Sequence, residues 1–495
     1  MIRKSLNRRD FLRLAGGLAA GTLAASCAAP SPQVVKETVK ETVIVEGTPR
    51  TIEKEVTKVV EKVVEKEKVF TAIPPTPGPV KIAVQSGWMA NPATGDIWTP
   101  AIKLFSEKNP KIGVEFTAVP GRVEDMLASM AGGVAPDVYH FYMAGWNEMM
   151  TKNIMLPLDD FIKAAGRDVF DPDIYLPVQW SYAQYKGKTY GMPALEGGAN
   201  AAFSWHKPLI EKAGGDPEKG PRNWGEVATL AKKINKLDQS GNLELVGYDP
   251  LDAWGVTILN WTMAFDAPFI SDDKKTMLLD QPNWLLGLQT ISQFWWDVGP
   301  DKMDAFRQQW GLWTGGANSG FGNAKRAMIT NGAWQPGELK RKHADHLDVK
   351  TVGYAFHPCL NEGKKYINFG QAHTLFAPKL TKQPDAAFRF MAHMTSLEVN
   401  KIEFGIRGAC MWSKQTATGI DTSSIPGLQW FFDAPTKADK SFTPDTYAPI
   451  MTQLETLWTR AAQESIYKKK APKDALTAAN QELQKALDEY WKTQK

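Results

Sequence analysis

Trp88, Tyr142 and Trp146 each fall in or just after a loop that ends a predicted strand. In a parallel sheet these loops line the binding crevice. Asn91 and His140 come from the same strand-end regions and add polar groups beside the rings. Trp310-Gly311-Leu312-Trp313-Thr314-Gly315-Gly316-Ala317-Asn318 is a Gly-rich aromatic loop that could close over a ligand, with Trp313 near its middle. It lacks the Gly-Lys-Ser/Thr ending of a phosphate loop. Other tryptophans, Trp98, Trp284, Trp295, Trp296, Trp458 and Trp491, lie within helical patterns and read as packing residues. Signals for bond-breaking chemistry are weak. No Gly-x-Ser-x-Gly elbow occurs, and Asp159 and Asp160 are adjacent rather than set across a scissile bond. His343 and His346 sit among Lys340, Arg341 and Lys342 and read as a solvated face. The three cysteines have no zinc spacing, so neither metal nor cofactor is implied.

Alternating elements must position these side chains. Val80–Val84 alternates as a strand. Trp98–Lys108 is an amphipathic helix with Trp98, Ile102 and Phe105 on one side, ended by Asn109-Pro110. Val114–Val119 is a second strand, Val123–Met130 a helix stopped by Gly132-Gly133, and Asp137–Phe141 a third strand. Strands alternating with helices at this spacing predict right-handed βαβ units and a parallel sheet.

Ahead of these elements the chain changes character. Arg8-Arg9 precede an apolar run from Leu14 to Ala25, followed by Ser26-Cys27. This is the order of an export signal, with a run too short to span a bilayer. The paired arginines before Phe11-Leu12 resemble a twin-arginine signal. Cys27 resembles the lipidated cysteine of a bacterial lipoprotein, although Leu23 stands one position further from it than is usual. Residues 28–79 contain no Trp, Tyr, Cys or Met and a single Phe, and end in Ile73-Pro74-Pro75-Thr76-Pro77-Gly78-Pro79. They read as a solvated stalk with a semi-rigid end. Ile52, Val56, Val59 and Val63 recur at helical spacing, which allows a short helix there. Without residues 1–26 the chain carries 53 basic and 53 acidic side chains, a balance that gives no support to nucleic-acid binding.

A family resemblance emerges along the remaining 416 residues. Asn109-Pro110-Lys111-Ile112-Gly113-Val114-Glu115 comes first, then Met126 to Val138 with Gly132-Gly133-Val134-Ala135-Pro136-Asp137. Leu156-Pro157-Leu158-Asp159-Asp160, Tyr185-Lys186-Gly187-Lys188-Thr189-Tyr190-Gly191-Met192-Pro193, Ala213-Gly214-Gly215, Asn223-Trp224-Gly225-Glu226-Val227 and Ala327 to Trp334 follow in order. Together they resemble the family 1 extracellular solute-binding proteins, the sugar-binding components of ABC importers similar to maltose-binding protein.

The resemblance implies an α/β, periplasmic-binding-protein type II-like bilobal fold with a hinge and an interlobe cleft. Residues 1–26 would be the signal and 27–79 the lipidated N-terminus and stalk. Lobe 1 would comprise 80–195 and 336–395, and lobe 2 196–335 and 396–495. The hinge would lie near Pro193-Ala194-Leu195 and Trp334-Gln335-Pro336. It further implies Glu196 as a ligand carboxylate, Trp334 at the second crossing and Trp412 as a lobe 2 stacking residue. Cys359 and Cys410 would fall in different lobes or at the hinge.

A sugar has an apolar C–H face and a rim of hydroxyls. Aromatic platforms and planar polar groups suit it. The expected function is therefore a monomeric, membrane-anchored, extracytoplasmic receptor that binds a small-molecule solute, an oligosaccharide by preference, and presents it to ABC permease subunits. A receptor for a peptide, polyamine or glycerol phosphodiester, or a secreted carbohydrate-active enzyme, are the alternatives.

Overall fold

The computed structural model describes residues 33–45, 48–60, 79–88, 90–91, 95–119, 123–141, 146–200, 202–251, 258–360, 363–369, 373–442 and 449–493. The signal segment, Cys27, the Pro-rich stretch and Tyr142 lie outside them. Contacts divide the chain into two units, Met1–Val69 and Phe70–Lys495.

The first unit contains one antiparallel hairpin. Gln33–Val45 pairs with Thr48–Val60 in an unbroken register, from Gln33 opposite Val60 to Val45 opposite Thr48. The helix allowed over Ile52–Val63 is therefore not formed over Ile52–Val60, and Val63 lies outside the described residues. Val, Ile and Thr are stiff at χ1 and favour extended backbone, and here that preference prevails over the four-three spacing.

In the second unit, five strands form the first sheet, in the order Met192–Pro193, Thr374–Phe376, Val138–Phe141, Val80–Ser86, Ile112–Ala118. Val80–Ser86 runs parallel to both Ile112–Ala118 and Val138–Phe141, as the βαβ reading requires. Ile82 and Val84 are buried between strand neighbours and the helix Trp98–Lys108, which lays Trp98, Ala101 and Phe105 onto the sheet. Helices Pro384–Met394 and Leu397–Arg407 complete this core with Phe388, Phe390, Met391 and Val399.

A second five-stranded sheet has the order Lys236–Leu237, Leu243–Tyr248, Arg326–Asn331, Ala202–His206, Val352–Ala355. It is mixed, with Leu243–Tyr248 parallel to Arg326–Asn331 and the other pairs antiparallel. Helices Trp224–Ile234, Pro282–Val298, Met451–Ile466 and Pro472–Thr493 cover it through a large apolar core. Trp284, Trp295 and Trp458 are fully buried there, as their helical spacing predicted, and Trp98 is buried in the first core. Trp296 and Trp491 are half-buried.

The passage between the sheets differs from the expected one. Past Asn331 the chain turns into the helix Gln335–Lys342 and returns to the second sheet as Val352–Ala355. Trp334-Gln335-Pro336 is thus a helix start rather than a crossing. The chain crosses instead along two antiparallel segments. Met192 and Pro193 face Leu375 and Thr374. The Ala194 amide donates to the His373 carbonyl, and the His373 amide to the Glu196 carbonyl, both at 2.8 Å. Ala199 and Asn200 then face Phe369 and Asn368 in a three-stranded sheet closed by Lys440–Phe442. A third passage follows Gly408, where the Trp412 amide donates to the Gly197 carbonyl at 2.6 Å. Leu195, in the middle of the ladder, has φ +66°, a conformation that costs a branched residue of order 1 kcal/mol.

Candidate functional site

Side chains of opposite charge gather where the chain passes between the sheets. Helix Leu397–Arg407 opens with Ser396, whose hydroxyl accepts from the Val399 amide, and ends on Gly408 in the left-handed conformation. Those caps fix Arg407 at its last turn, where a cation also suits the helix dipole. Arg407 forms an ion pair with Glu196 from the first crossing, and its Nη1 donates to Glu403 one turn back at 2.8 Å. Its guanidinium lies 4.7 Å from the Trp88 ring centroid, a cation–π contact.

Trp88 is held from behind. Its amide donates to Ser86 Oγ at 3.1 Å, and its carbonyl accepts from Trp98 Nε1 at 2.8 Å. The His373 ring meets it edge-on with centroids 4.1 Å apart. His373 Nδ1 lies 3.1 Å from His140 Nε2, and His140 Nδ1 lies 2.8 Å from Ser86 Oγ. Burial pushes His140 down to about 3. It lowers His373 strongly too, helped by the nearby His140 and Arg407. Both imidazoles are neutral at pH 7 and chain through hydrogen bonds. This hydrogen-bonded chain of Ser86, His140 and His373 buttresses the Trp88 ring.

The carboxylates are not equivalent. Burial raises Glu403 to about 8, against the opposing pull of Arg407. Arg407 is raised further above its ordinary range by Glu196 and Glu403, which outweigh its own desolvation. Glu338, on helix Gln335–Lys342, is raised by burial within the field of Arg407, Glu196 and Arg341. Arg341 Nη1 donates to the Ile406 carbonyl at 2.9 Å. Two guanidinium groups thus face three carboxyls, and burial holds Glu403 and Glu338 above the ordinary carboxylate range.

The expected site residues separate into two groups. Trp88, His140 and Glu196 come together around Arg407. Trp313 is 53% exposed, and its ring centroid lies 6.5 Å from that of Trp334, which is itself buried. Trp146 is buried in a core with Met149, Met150, Tyr182 and Phe376, and donates from Nε1 to the Tyr182 carbonyl at 2.9 Å. It is a packing residue, because its helix turns the ring beneath the sheet against Gly191. Trp412 is buried beside Leu428, Phe431 and Phe432, and donates from Nε1 to the Phe432 carbonyl at 2.9 Å. Its indole packs against the third passage. Asn91 lies in a short strand opposite Gly95.

His343 departs from the solvated-face reading. It is buried, and its Nε2 lies 2.8 Å from the Thr314 carbonyl, while His346 remains exposed. The chain turns at the end of helix Gln335–Lys342 and carries His343 under Gly322. Cys359 and Cys410 are buried free thiols in separate clusters. Among the described residues no group of three or more His, Cys, Asp or Glu could hold a metal ion.

Arg407, Glu403, Glu338 and His373 had not been singled out from sequence. Glu403 and Arg407 stand four apart, the spacing of an ordinary exposed helix pair. Only the apolar neighbours Phe404 and Ile406 hinted at burial.

The family model for bacterial extracellular solute-binding protein matches residues 90–401. Residues of this chain are 26% identical over 133 positions to the sn-glycerol-3-phosphate-binding periplasmic protein UgpB of Escherichia coli K12. That match covers 26% of this chain and 30% of the relative. In structure, the chain is similar to CpMnBP1 with mannotriose bound, at TM-score 0.69 and 22% identity, over 82% of this chain and 100% of the other. It is also similar to the ABC substrate-binding protein Lmo0181 of Listeria monocytogenes in complex with cycloalternan, at TM-score 0.66 and 17% identity, over 83% and 99%. Maltose-bound T. maritima MalE3 aligns at TM-score 0.62 and 18% identity, over 81% and 98%. These likenesses establish the bilobal fold.

Proposed function

Since the chain belongs to the bacterial extracellular solute-binding proteins, we propose that it is the receptor of an ABC importer that binds an oligosaccharide between two lobes. It delivers that sugar to the permease by closing about the strand ladder. The lobes are the assemblies around the two five-stranded sheets, and the hinge is the pairing of residues 192–200 with 368–369 and 373–375 plus the passage at 408–412. One observation carries this reading: Trp88 and Glu196 meet at Arg407 beside the first crossing, and the Trp313–Trp334 pair sits at the start of the helix that packs on the third passage. Rings of this kind stack on sugar C–H faces, each worth roughly 0.5–1.5 kcal/mol by analogy with aromatic pairs. A ligand touching both lobes binds the closed form better and shifts the population toward it.

The protein acts as a monomeric binding protein rather than an enzyme. Lipid on Cys27 and residues 28–79 form its tether on the outer face of the cytoplasmic membrane. A glycerol phosphate ligand is the second reading, raised by the likeness to UgpB. It is disfavoured because the Arg407 guanidinium, the buried cation of the hinge cluster, is already engaged by Glu196 and Glu403; a phosphate would have to displace them.

Calorimetry of the purified chain with mannotriose, maltotriose and sn-glycerol 3-phosphate tests the proposal. Saturable binding of an oligosaccharide without turnover supports it. Binding of glycerol phosphate alone, or cleavage of the glycan, sinks it.

A further inference from the structure

The Trp313 loop is held at Thr314 by Glu338, His343 and Asn331, and at Ala317 by Asn323. The loop is closed at its base by the Gly311 amide donating to the Asn318 carbonyl at 2.8 Å and the Gly320 amide to the Gly311 carbonyl at 2.9 Å. Among the described residues, Trp313 is the one aromatic in the set of exposed large hydrophobic side chains. Thr314, its neighbour, is fully buried. The Thr314 hydroxyl donates to Glu338 Oε2 in a short hydrogen bond, and the Thr314 carbonyl accepts from His343 Nε2 at 2.8 Å. Gly315 closes over the same carboxyl, where a Cβ would stand 2.9 Å from Glu338 Oε1. A side chain at residue 315 would displace that carboxyl.

Both anchors, Glu338 and His343, belong to helix Gln335–Lys342 and its C-cap, and Trp334 is that helix's N-cap. One short helix thus carries one ring of the pair and holds the loop bearing the other. The same helix abuts the third passage between the sheets. A Cβ at Gly337 would stand 2.4 Å from the Arg407 carbonyl oxygen, and Arg341 donates to the Ile406 carbonyl. A buried carboxyl costs more than an amide that could accept the same hydroxyl proton. What it adds is sensitivity to the charges of Arg407, Glu196 and Arg341 that surround it.

We propose that Glu338 is a positioning residue that fixes Trp313 beside Trp334 through Thr314, and that helix Gln335–Lys342 links this aromatic pair to the hinge. The importance of the pair for a solute rests on the receptor reading above; the positioning itself does not.

The test uses the full chain labelled with 5-fluorotryptophan and ¹⁹F NMR, with the Trp313 line assigned by Trp313→Phe. Glu338→Ala shifts or broadens the Trp313 line, and Glu338→Gln, which still accepts the Thr314 proton, restores it. Thr314→Val, which removes the donor and keeps the shape, reproduces the Glu338→Ala spectrum and serves if that variant fails to fold. Gly337→Ala, which pushes on Arg407 and Gly408, also moves the Trp313 line. With mannotriose as the probe, Glu338→Ala weakens binding up to about tenfold, the effect of one lost hydrogen bond, and Glu338→Gln recovers it. A folded Glu338→Ala or Thr314→Val protein with an unchanged Trp313 line overturns the proposal. Absence of mannotriose binding by the unaltered protein counts against the sugar reading alone, because the spectra are recorded without ligand.

Discussion

Replacing Arg407 with Met removes the cation shared by Glu196 and Glu403 and nearly keeps its volume. The consequences depend on pH in a way the geometry dictates. Burial raises Glu403 to about 8 while Arg407 pulls it down, so at pH 6 this carboxyl is protonated with or without the arginine. The loss at pH 6 therefore falls on Glu196, left largely buried without its partner, and on the Trp88 cation–π contact. Breaking such a pair from one side costs on the order of 3 kcal/mol. Above pH 8 Glu403 ionises in the parent but stays protonated in the variant, where nothing opposes desolvation. Each further pH unit then costs the variant about 1.4 kcal/mol more than the parent. Glu338, raised by burial and lowered by Arg407, adds to the same trend. Urea unfolding followed by circular dichroism at pH 6 and pH 9 measures both deficits. The deficit at pH 9 should exceed that at pH 6 by about 1 kcal/mol or more, and adding Glu196→Gln to Arg407→Met should recover part of it. An equal deficit at the two pH values, with no recovery in the double variant, would refute the account of the cluster.

Trp313→Ala and Trp412→Ala should separate recognition from packing. The first weakens oligosaccharide binding with little change in stability, while the second loses about 3–5 kcal/mol of stability because its buried indole leaves a cavity; calorimetry and urea unfolding read the two effects. Glu455 is buried on helix Met451–Ile466 and raised to about 7. Its folded state holds a proton that the unfolded chain releases from about pH 4.5, so stability present below that pH is lost as pH rises through about 7. The loss is on the order of 3 kcal/mol, and Glu455→Gln should flatten unfolding free energies measured from pH 4.5 to 8. Burial keeps the Cys410 thiol well above its ordinary range. Neither Cys359 nor Cys410 should react with a thiol reagent such as DTNB in the native state, and both should react in denaturant; rapid native labelling of either would contradict their burial.

Local order was readable where one periodicity dominated. Trp98–Lys108 is a helix with the expected bounds, and the three strands around it lie within two residues of their predicted positions, because each buries one clean face. The passages between sheets were harder. Pro193-Ala194-Leu195 does stand at one, but Trp334-Gln335-Pro336 misled: proline near a strand end suits a bend and equally suits the first turn of a helix. Tyr366–Phe369 and Thr374–Phe376, which form the return passage, are short apolar runs whose partners are some 170 residues away in sequence, and no local pattern announces such pairing. The candidate site divided along the same line. Trp88, His140 and Glu196 stood out by strand-end position or family resemblance. Arg407 and Glu403 carried only an i,i+4 spacing that solvent-facing pairs share. Trp146 and Trp412 show the converse, since a loop-like neighbourhood says nothing about which way a ring turns.

The ladder between the sheets also has a mechanical meaning. Pulling the two sheets apart would load two antiparallel segments and the third passage together, and the backbone bonds at Ala194, His373 and Trp412 tie those three to one another. A nick in any one would leave the others carrying the tension, so a cut at one passage should not let the sheets separate. Tension across the joint is thus shared among three hydrogen-bonded passages rather than borne by one strand.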